Sequence, residues 1–189
     1  PYTTLFRSEL KELGVTRVPV SVNVSPLQFQ CGNIVADVRR ALSVSRLPPN
    51  RLCLEITESN FVAQSDSVMR SLLELREMGV RLVLDDFGAG FSSFGYLATL
   101  PIDKLKLDRM FARGLEDGIA TGAIVSTVVT MCRELGLELL CEGVETSEQR
   151  DRLGALGCQQ AQGYYFSRPL VHSDLLHWFQ SQPVDGKAA

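Results

Sequence analysis

The sequence predicts an α/β fold, a (β/α)8 barrel of the TIM type that is missing its N-terminal strands and helix. Short β-prone runs alternate with helix-patterned stretches six times along the chain, which is typical of a parallel sheet with helical crossovers. No dinucleotide-binding glycine fingerprint follows the first strand, and this removes the best argument for an open, doubly wound sheet. A complete barrel typically has about 250 residues, so six units in 189 residues fit a barrel without its opening units.

The six strands are predicted from short runs rich in Val, Ile and Leu. The first run, VPVSVNV, precedes a helical stretch, and the third, VRLVL, follows directly after Gly79. The fourth contains two leucines that alternate with lysines, which is the period of a strand. We place the strands at residues 18–24, 52–57, 80–84, 102–107, 137–141 and 161–166.

The helices are predicted where apolar residues recur three and four positions apart. In one of them Val68, Leu72 and Leu75 form the apolar stripe, and Gly79 stands where a C-cap belongs. Gly136 ends a later and longer helix in the same way. We place the helices at residues 34–45, 67–78, 119–135, 147–156 and 173–180, with a short one that ends at residue 99.

Composition excludes several classes of protein. The chain has 19 Lys and Arg against 22 Asp and Glu, so its net charge is −3, and we expect no DNA or RNA partner. No apolar run approaches the ~20 residues that cross a bilayer, and no signal peptide opens the sequence. Five widely spaced cysteines fit neither a zinc site nor a disulfide framework. We therefore expect the domain to lie in the cytoplasm.

The chain is predicted to hold one domain, preceded by foreign residues. The opening string PYTTLFRS matches the in-frame translation of a common sequencing adapter, so residues 1–8 are left out of the fold prediction. We expect residues 9–182 to form the partial barrel and residues 183–189 to be a frayed tail.

Polar side chains stand at the C-terminal end of every predicted strand. In a parallel barrel these ends open onto one face, which is where active sites lie. A single Asp at such a position is more often a helix cap, but six successive strands with polar ends favour a functional site. The residues are Asn23, Glu55, Asp85, Asp86, Lys106, Asp108, Glu142 and Gln162.

Apart from Lys106, these side chains are all hard oxygen donors, with neither His nor Cys among them. Such a set selects Mg²⁺, Mn²⁺ or Ca²⁺ over zinc or copper. Without a cation the converging carboxylates would repel one another and raise their own pKa values. The adjacent pair of Asp85 and Asp86 suggests two ions about 3.5–4 Å apart with one bridging carboxylate, as in phosphoester hydrolysis.

Lys106 is the one cation in this set. Leu105 and Leu107 flank it in a buried strand, so the period of two places Lys106 on the opposite face, which in a barrel is the interior. There it could orient or deprotonate a water, or offset charge on a phosphoryl oxygen.

Several longer motifs share the order and spacing of one known family. They are SVNVSPLQF, LEITES, LDDFGAGFSSFGYL, PIDKLKLDRMF, CEGVET and QGYYFSRPL, and together they run from about Val18 to Leu170. In these motifs the chain resembles the EAL-domain family, whose members are cyclic-di-GMP phosphodiesterases with a (β/α)8-like barrel. The resemblance implies the opening of one phosphodiester bond of cyclic di-GMP to give linear pGpG.

The resemblance also implies a role for each motif residue. It assigns two catalytic ions, Mg²⁺ or Mn²⁺, to the metal ligands Asn23, Glu55, Asp85, Asp86 and Glu142. It implies that Lys106 helps to activate the attacking water, with Asp108 as an orienting partner. Glu145 would anchor the loop at residues 87–93, and Gln162 would lie close to the water and the phosphate.

The Glu-Ala-Leu segment that names the family, with its first metal-binding Glu, does not occur in this sequence. It belongs to strands that we expect upstream, so we expect the 189-residue chain by itself to be inactive. We expect the full protein to carry a sensor, receiver or cyclase domain upstream and to pair as a homodimer. A membrane anchor elsewhere in the full protein would be compatible with this prediction.

Two other functions compete with a phosphodiesterase. A catalytically degenerate cyclic-di-GMP receptor or protein-interaction module would have lost several of the metal-binding and catalytic residues. All of those that the resemblance assigns to this part of the domain are present. An unrelated barrel phosphohydrolase or enolase-type lyase would explain the carboxylates at the strand ends but not the order of the motifs.

Overall fold

The computed structural model describes residues 18–57, 66–90 and 94–181. Within these residues six strands form one sheet, in which every strand is parallel to the next and the order follows the chain. This is the arrangement of consecutive β/α units in a barrel, and it confirms the predicted fold class. The strands are β1 (Val20–Val24), β2 (Leu52–Thr57), β3 (Arg81–Phe87), β4 (Lys104–Leu107), β5 (Glu138–Cys141) and β6 (Gln160–Ala161).

Parallel pairing requires crossover connections, and the described crossovers contain α-helices except the one between β3 and β4, which contains a 3₁₀ turn. No helix in the described part of the chain combines the length and the apolar composition that crossing a membrane demands. The helices are α1 (Pro26–Cys31), α2 (Ile34–Ser45), α3 (Asp66–Glu77), α4 (Arg109–Asp117), α5 (Ile119–Leu135), α6 (Ser147–Ala155) and α7 (His172–Ser181), with 3₁₀ turns at Pro49–Arg51 and Phe94–Thr99.

The strands have one apolar face and one polar face. On β4, Leu105 and Leu107 are fully buried in the core between the sheet and the helices. Leu72 and Leu75 of α3 belong to the same core. Lys106 lies on the other face of β4, because side chains alternate along a strand. The polar face is therefore the interior of the barrel, as predicted.

The sixth predicted strand, at residues 161–166, is wrong. The strand has only two residues, Gln160–Ala161, and the chain turns at Gly163. The N–H of Phe166 donates to the carbonyl oxygen of Gly163 at 3.0 Å, and the N–H of Tyr165 donates to Val144 at 3.0 Å. The aromatic run has a high β propensity, but these contacts with the loop after β5 decide its conformation.

Two helices are present that the sequence analysis did not predict. They are α1, which starts at a proline in its first turn, and α4, which follows β4 directly. Gly118 separates α4 from α5. The adapter assignment at residues 1–8 and the tail at residues 183–189 lie outside the described residues, so both stay predictions.

Candidate active site

The C-terminal ends of the strands bring polar side chains together inside the barrel. Asn23 on β1 lies opposite Glu55 on β2, and Lys106 on β4 lies opposite Leu140 on β5. Glu142 comes directly after β5, where its N–H donates to the carbonyl oxygen of residue 107 at 3.0 Å. The register between the strands therefore brings together residues that are far apart in the sequence.

Lys106 is the centre of this group. Its Nζ lies 2.9 Å from Oε2 of Glu55, 2.8 Å from Oδ1 of Asp85 and 2.6 Å from Oε1 of Glu142. The residue is only 6% exposed, which confirms the prediction that it points into the interior. The three N–H donors of an ammonium match three carboxylate acceptors. We call these four residues, together with Asp86, the carboxylate cluster.

The charge state of Lys106 follows from these contacts. Burial by itself would lower the pKa of its amino group. The hydrogen bonds to Asp85, Glu142 and Glu55 outweigh burial and hold the pKa well above its ordinary value. Lys106 is therefore an ammonium at neutral pH in this arrangement. It can donate hydrogen bonds and offset negative charge, whereas accepting a proton from water would first require the loss of carboxylate partners.

Negative charge is in surplus in the cluster, where four carboxylates face the one ammonium. Burial raises the pKa of Asp86, and the neighbouring charges of Asp85 and Asp108 raise it further. Burial also raises the pKa of Glu142, and together with repulsion from Asp85 and Asp86 it outweighs the attraction of Lys106. Such mutual repulsion is relieved when a cation binds between the carboxylates.

Three carboxylates converge closely enough to hold a metal ion. Ligand oxygens of Asp85, Asp86 and Glu142 all lie within 4.8 Å of one another. Glu55 contacts Lys106 instead, and Asn23 is exposed beside it at the end of β1. Three hard oxygen ligands without His or Cys fit a divalent cation such as Mg²⁺, Mn²⁺ or Ca²⁺.

An irregularity in β3 brings Asp85 and Asp86 into the same group. In a regular strand, two successive side chains point to opposite faces. Asp86 instead has φ of 55°, and the pairing of β3 with β4 shifts register between Leu84 and Phe87. A left-handed backbone is uncommon for a residue other than glycine and is often found at functional sites. The N–H of Asp86 donates to Oδ1 of Asp85 at 3.1 Å, which supports this bend.

The structure places the remaining candidate residues around the cluster. Nε2 of Gln162 donates to Oε1 of Glu142 at 2.7 Å, so Gln162 joins the cluster directly. Asp108 is the N-cap of α4, where Oδ1 accepts a hydrogen bond from the N–H of Met110 at 2.7 Å. Glu145 is exposed and bonded to Arg113 at 2.8 Å. Its expected contact with the loop at residues 87–93 falls partly outside the described residues.

Gln149 supports the loop that follows β5, and it was not among the residues predicted from the sequence. It is a polar residue with only 3% exposure. Its Oε1 accepts a hydrogen bond from the N–H of Glu145 at 2.7 Å, and its Nε2 donates to Oε1 of Glu116 at 2.8 Å. The signal that could have revealed it is the capping box formed by Thr146 and Gln149 at the start of α6.

A second polar group, also missed, lies at the opposite ends of the same strands. Lys104 Nζ lies 3.1 Å from Oε2 of Glu138 and donates to Oε1 of Gln160 at 2.7 Å. Arg81 pairs with the other carboxylate oxygen of Glu138. We call these four residues the strand-start group. Lys104 precedes Lys106 by two residues, so the same strand period could have predicted its interior position.

The family profile described as EAL domain matches residues 4–169 of the chain. A relative from Pseudomonas aeruginosa, cyclic di-GMP phosphodiesterase RocR, is 38% identical over 172 residues, which cover 91% of this chain and 44% of that protein. The chain spans between 20% and 44% of the length of the first curated relatives that it matches.

Two solved structures are also similar to this chain. The structure described as PaMucR phosphodiesterase in complex with c-di-GMP has a TM-score of 0.83 and 38% identity, covering 92% of this chain and 70% of that one. BlrP1 of Klebsiella pneumoniae, in a complex with manganese and c-di-GMP, has a TM-score of 0.81 and 30% identity, covering 90% of this chain and 44% of that one.

Proposed function

The chain belongs to the EAL domain family, and on that premise we propose that the complete domain hydrolyses one phosphodiester bond of cyclic di-GMP to give linear pGpG. The observation that carries this proposal is the carboxylate cluster at the C-terminal ends of the strands, with Lys106 bonded to three carboxylates. The complexes of MucR and BlrP1 with the same dinucleotide support the choice of substrate.

We propose that the cluster holds two divalent ions, either Mg²⁺ or Mn²⁺, because its ligands are hard oxygen donors. The ligands would be Asp85, Asp86 and Glu142, whose oxygens converge, together with Glu55 and Asn23 at the neighbouring strand ends. When bound, such ions would supply Lewis-acid stabilisation of charge on the reacting phosphate and activate a water. BlrP1 is described in complexes with manganese and with calcium, which supports a site for hard cations.

Lys106 would position the reacting groups and offset charge. Its ammonium holds Glu55, Asp85 and Glu142 at fixed separations, and it can donate a hydrogen bond to a water or a phosphoryl oxygen. Gln162 holds Glu142 from the side of β6 and keeps one more acceptor, its Oε1, for a water. Asp108 would act through backbone placement, because it caps the helix that follows β4.

Removal of metal tests this function. In the protein that carries the complete domain, chromatography should show cyclic di-GMP converted to pGpG with Mg²⁺ or Mn²⁺, and excess chelator should abolish the conversion. Ca²⁺ should bind but inhibit, because it is larger and less demanding in its coordination geometry. Undiminished hydrolysis in excess chelator would contradict the metal assignment, and absence of any cyclic-di-GMP turnover with Mn²⁺ would contradict the function.

Further domains and partners belong to the same proposal. The relative MucR of Pseudomonas aeruginosa is described as a bifunctional diguanylate cyclase and cyclic di-GMP phosphodiesterase, and the matched region is 23% of its length. This supports a further domain in the natural protein, of which a cyclase is one expected kind, while a sensor or receiver domain stays a prediction. The expected homodimer, and a cytoplasmic position of the domain with a membrane anchor elsewhere in the protein, stay predictions.

A further inference from the structure

The loop that carries Glu142, residues 142–145, is held on one side by the turn after β6. The N–H of Val144 donates to the carbonyl oxygen of Gln162 at 3.0 Å, and the carbonyl oxygen of Val144 accepts a hydrogen bond from the N–H of Tyr165 at 3.0 Å. Val144 is fully buried. These backbone bonds fix the middle of the loop against the turn after β6, and the end of the loop depends on other contacts.

The buried side chain of Gln149 holds the end of this loop. Its Oε1 accepts hydrogen bonds from the N–H of Glu145 at 2.7 Å and from the N–H of Thr146 at 3.3 Å. Its Nε2 donates to Oε1 of Glu116 at 2.8 Å. Hydrogen bonds in such a buried position are strong and rigid, because little water competes for them. We call Gln149, with its bonds to Glu145 and Glu116, the glutamine bridge.

The glutamine bridge joins the loop to the helix that follows Lys106. Glu116 lies in α4, and α4 begins directly after the strand of Lys106 and its capping residue. Arg113 of α4 also pairs with Glu145, but both side chains are largely exposed, and exposed pairs stabilise little. Arg152 bonds to a backbone carbonyl of α4 from within α6, so it does not hold the loop. The glutamine bridge therefore supplies a buried connection between α4 and the loop.

We propose that Gln149 is a positioning residue of the metal site. This inference rests on the proposed function, since it concerns the ions that the carboxylate cluster would hold. Ligand oxygens of Glu142, Asp85 and Asp86 lie within 4.8 Å of one another, and Glu142 stands in the same short loop as Glu145. Metal affinity depends on this placement, because a ligand that shifts by about 0.5 Å leaves its productive geometry. The glutamine bridge fixes the loop relative to α4, and with it the place of the Glu142 carboxylate.

Replacement of Gln149 tests this role with a measurement that does not depend on turnover. In the protein that carries the complete domain, Gln149→Met keeps a side chain of similar length and removes the bonds to Glu145, Thr146 and Glu116. Calorimetric titration without cyclic di-GMP should show Mn²⁺ bound about tenfold more weakly, the lower end of the loss typical of groups that orient a metal ligand. The Mn²⁺ concentration for half-maximal hydrolysis should rise by the same factor, with kcat at saturating Mn²⁺ within about threefold.

Thr146→Ala is the matched control at the same helix start. The hydroxyl of Thr146 caps α6 by accepting a hydrogen bond from the N–H of Gln149 at 3.2 Å, and it takes no part in the bond between Glu145 and Gln149. Its loss should lower the melting temperature by about 2–4 °C, as for a lost helix cap, and leave Mn²⁺ affinity unchanged. An equal loss of Mn²⁺ affinity in both variants would assign the effect to the helix start and overturn the role of the glutamine bridge.

An exchange of the two bridging side chains separates the hydrogen bond from general disruption. Gln149→Glu alone keeps an acceptor for Glu145 but sets two carboxylates against each other. The double variant Gln149→Glu, Glu116→Gln reverses donor and acceptor and has the net charge of the wild type. Mn²⁺ should bind about threefold more weakly to the single variant and within about twofold of the wild type to the double variant. Failure of the exchange to restore affinity would overturn the connection through Glu116.

The outcomes distinguish this inference from the function on which it rests. If the wild type binds Mn²⁺ and hydrolyses cyclic di-GMP but Gln149→Met keeps its Mn²⁺ affinity, the positioning role is wrong and the phosphodiesterase stands. If the wild type binds Mn²⁺ without hydrolysing cyclic di-GMP, the function fails and the titrations still decide the positioning role. If the wild type binds no Mn²⁺, the metal site and the inference fail together. Circular dichroism melting reports whether Gln149→Met folds, and if it does not, the single and double variants of the exchange carry the test.

Discussion

Two glutamates at opposite ends of β5 have opposite electrostatic surroundings. At Glu138 burial raises the pKa, but hydrogen bonds from Lys104, Arg81 and Gln160 outweigh it and lower the pKa overall. At Glu142, which comes directly after β5, burial and the repulsion of neighbouring carboxylates outweigh the attraction of Lys106 and raise the pKa. The surroundings therefore favour the charged form of the glutamate at one end of β5 and disfavour it at the other.

This difference distinguishes a structural group of side chains from a functional one within the same barrel. The strand-start group joins β3, β4, β5 and β6, and its single carboxylate is bonded to all three of the other side chains. The carboxylate cluster has more acids than its single ammonium can neutralise. A protein maintains such a surplus where a cation or a reaction uses it, which is why perturbed pKa values gather at functional sites.

The largest effect should come from replacing the two lysines of β4 with methionine, one lysine in each variant. Lys106→Met should lower kcat by about 10²–10³-fold with KM mostly retained, because it removes the charge that holds three carboxylates in place. Lys104→Met should leave kcat within about twofold and cost about 1 kcal/mol of stability, since Arg81 still pairs with Glu138. Steady-state kinetics on cyclic di-GMP and urea unfolding measure the two effects.

The two lysine variants act as controls for each other, since both replace an interior lysine of the same strand. Near-normal turnover by the folded Lys106→Met protein would remove Lys106 from the mechanism. An equal loss of kcat in Lys104→Met would mean that the two ends of the barrel do not differ in function.

A pair of glycines, one near each end of β5, should give the next largest effect. Gly136 and Gly143 have nearly the same left-handed backbone, with φ of 69° and 70°. A Cβ at Gly136 would meet nothing within 4 Å, whereas one at Gly143 would collide with Arg109. Gly136→Ala should therefore cost about 1 kcal/mol from backbone strain alone, and Gly143→Ala about 2–4 kcal/mol.

The two glycine variants should also differ in metal binding. Relief of the collision at Gly143 must move the loop that carries Glu142, so calorimetric titration with Mn²⁺ should show weaker binding in Gly143→Ala. Binding by Gly136→Ala should match the wild type, because Gly136 lies at the far end of the strand. Equal Mn²⁺ affinity in both variants would show that the loop does not set the position of Glu142.

Much of the fold and part of the site could be predicted from residue patterns. The alternation of Leu105, Lys106 and Leu107 was enough to place Lys106 inside the barrel, because the strand period fixes the face. The partners of Lys106 were harder to predict, since Glu55, Asp85 and Glu142 meet it through the register of four strands. Register between parallel strands depends on the packing of the whole sheet, which no local pattern contains.

Other features depend on contacts that residue type does not reveal. Both Asp108 and Asp86 follow or end a strand, but Asp108 caps a helix whereas Asp86, with a left-handed backbone, lies in the carboxylate cluster. The predicted sixth strand failed because Tyr165 bonds to the loop after β5 rather than continuing the sheet. Local propensity was overridden there by a tertiary contact.

The smallest expected effect concerns the pH dependence of stability at the strand-start end. The folded state lowers the pKa of Glu138, so its ion pairs stabilise the protein above the ordinary glutamate pKa of about 4.3 and are lost as the pH falls through the lowered value. Because the Glu138 side chain is 40% exposed, solvent screening limits its contribution to about 1 kcal/mol or less. The free energy of unfolding of Glu138→Gln should therefore lie below the wild-type value from pH 7 to about pH 5 and converge with it below about pH 4. Urea unfolding at several pH values measures this difference. A difference that is constant down to pH 3 would show that Glu138 acts through packing, and its contrast with Glu142 would then not be electrostatic.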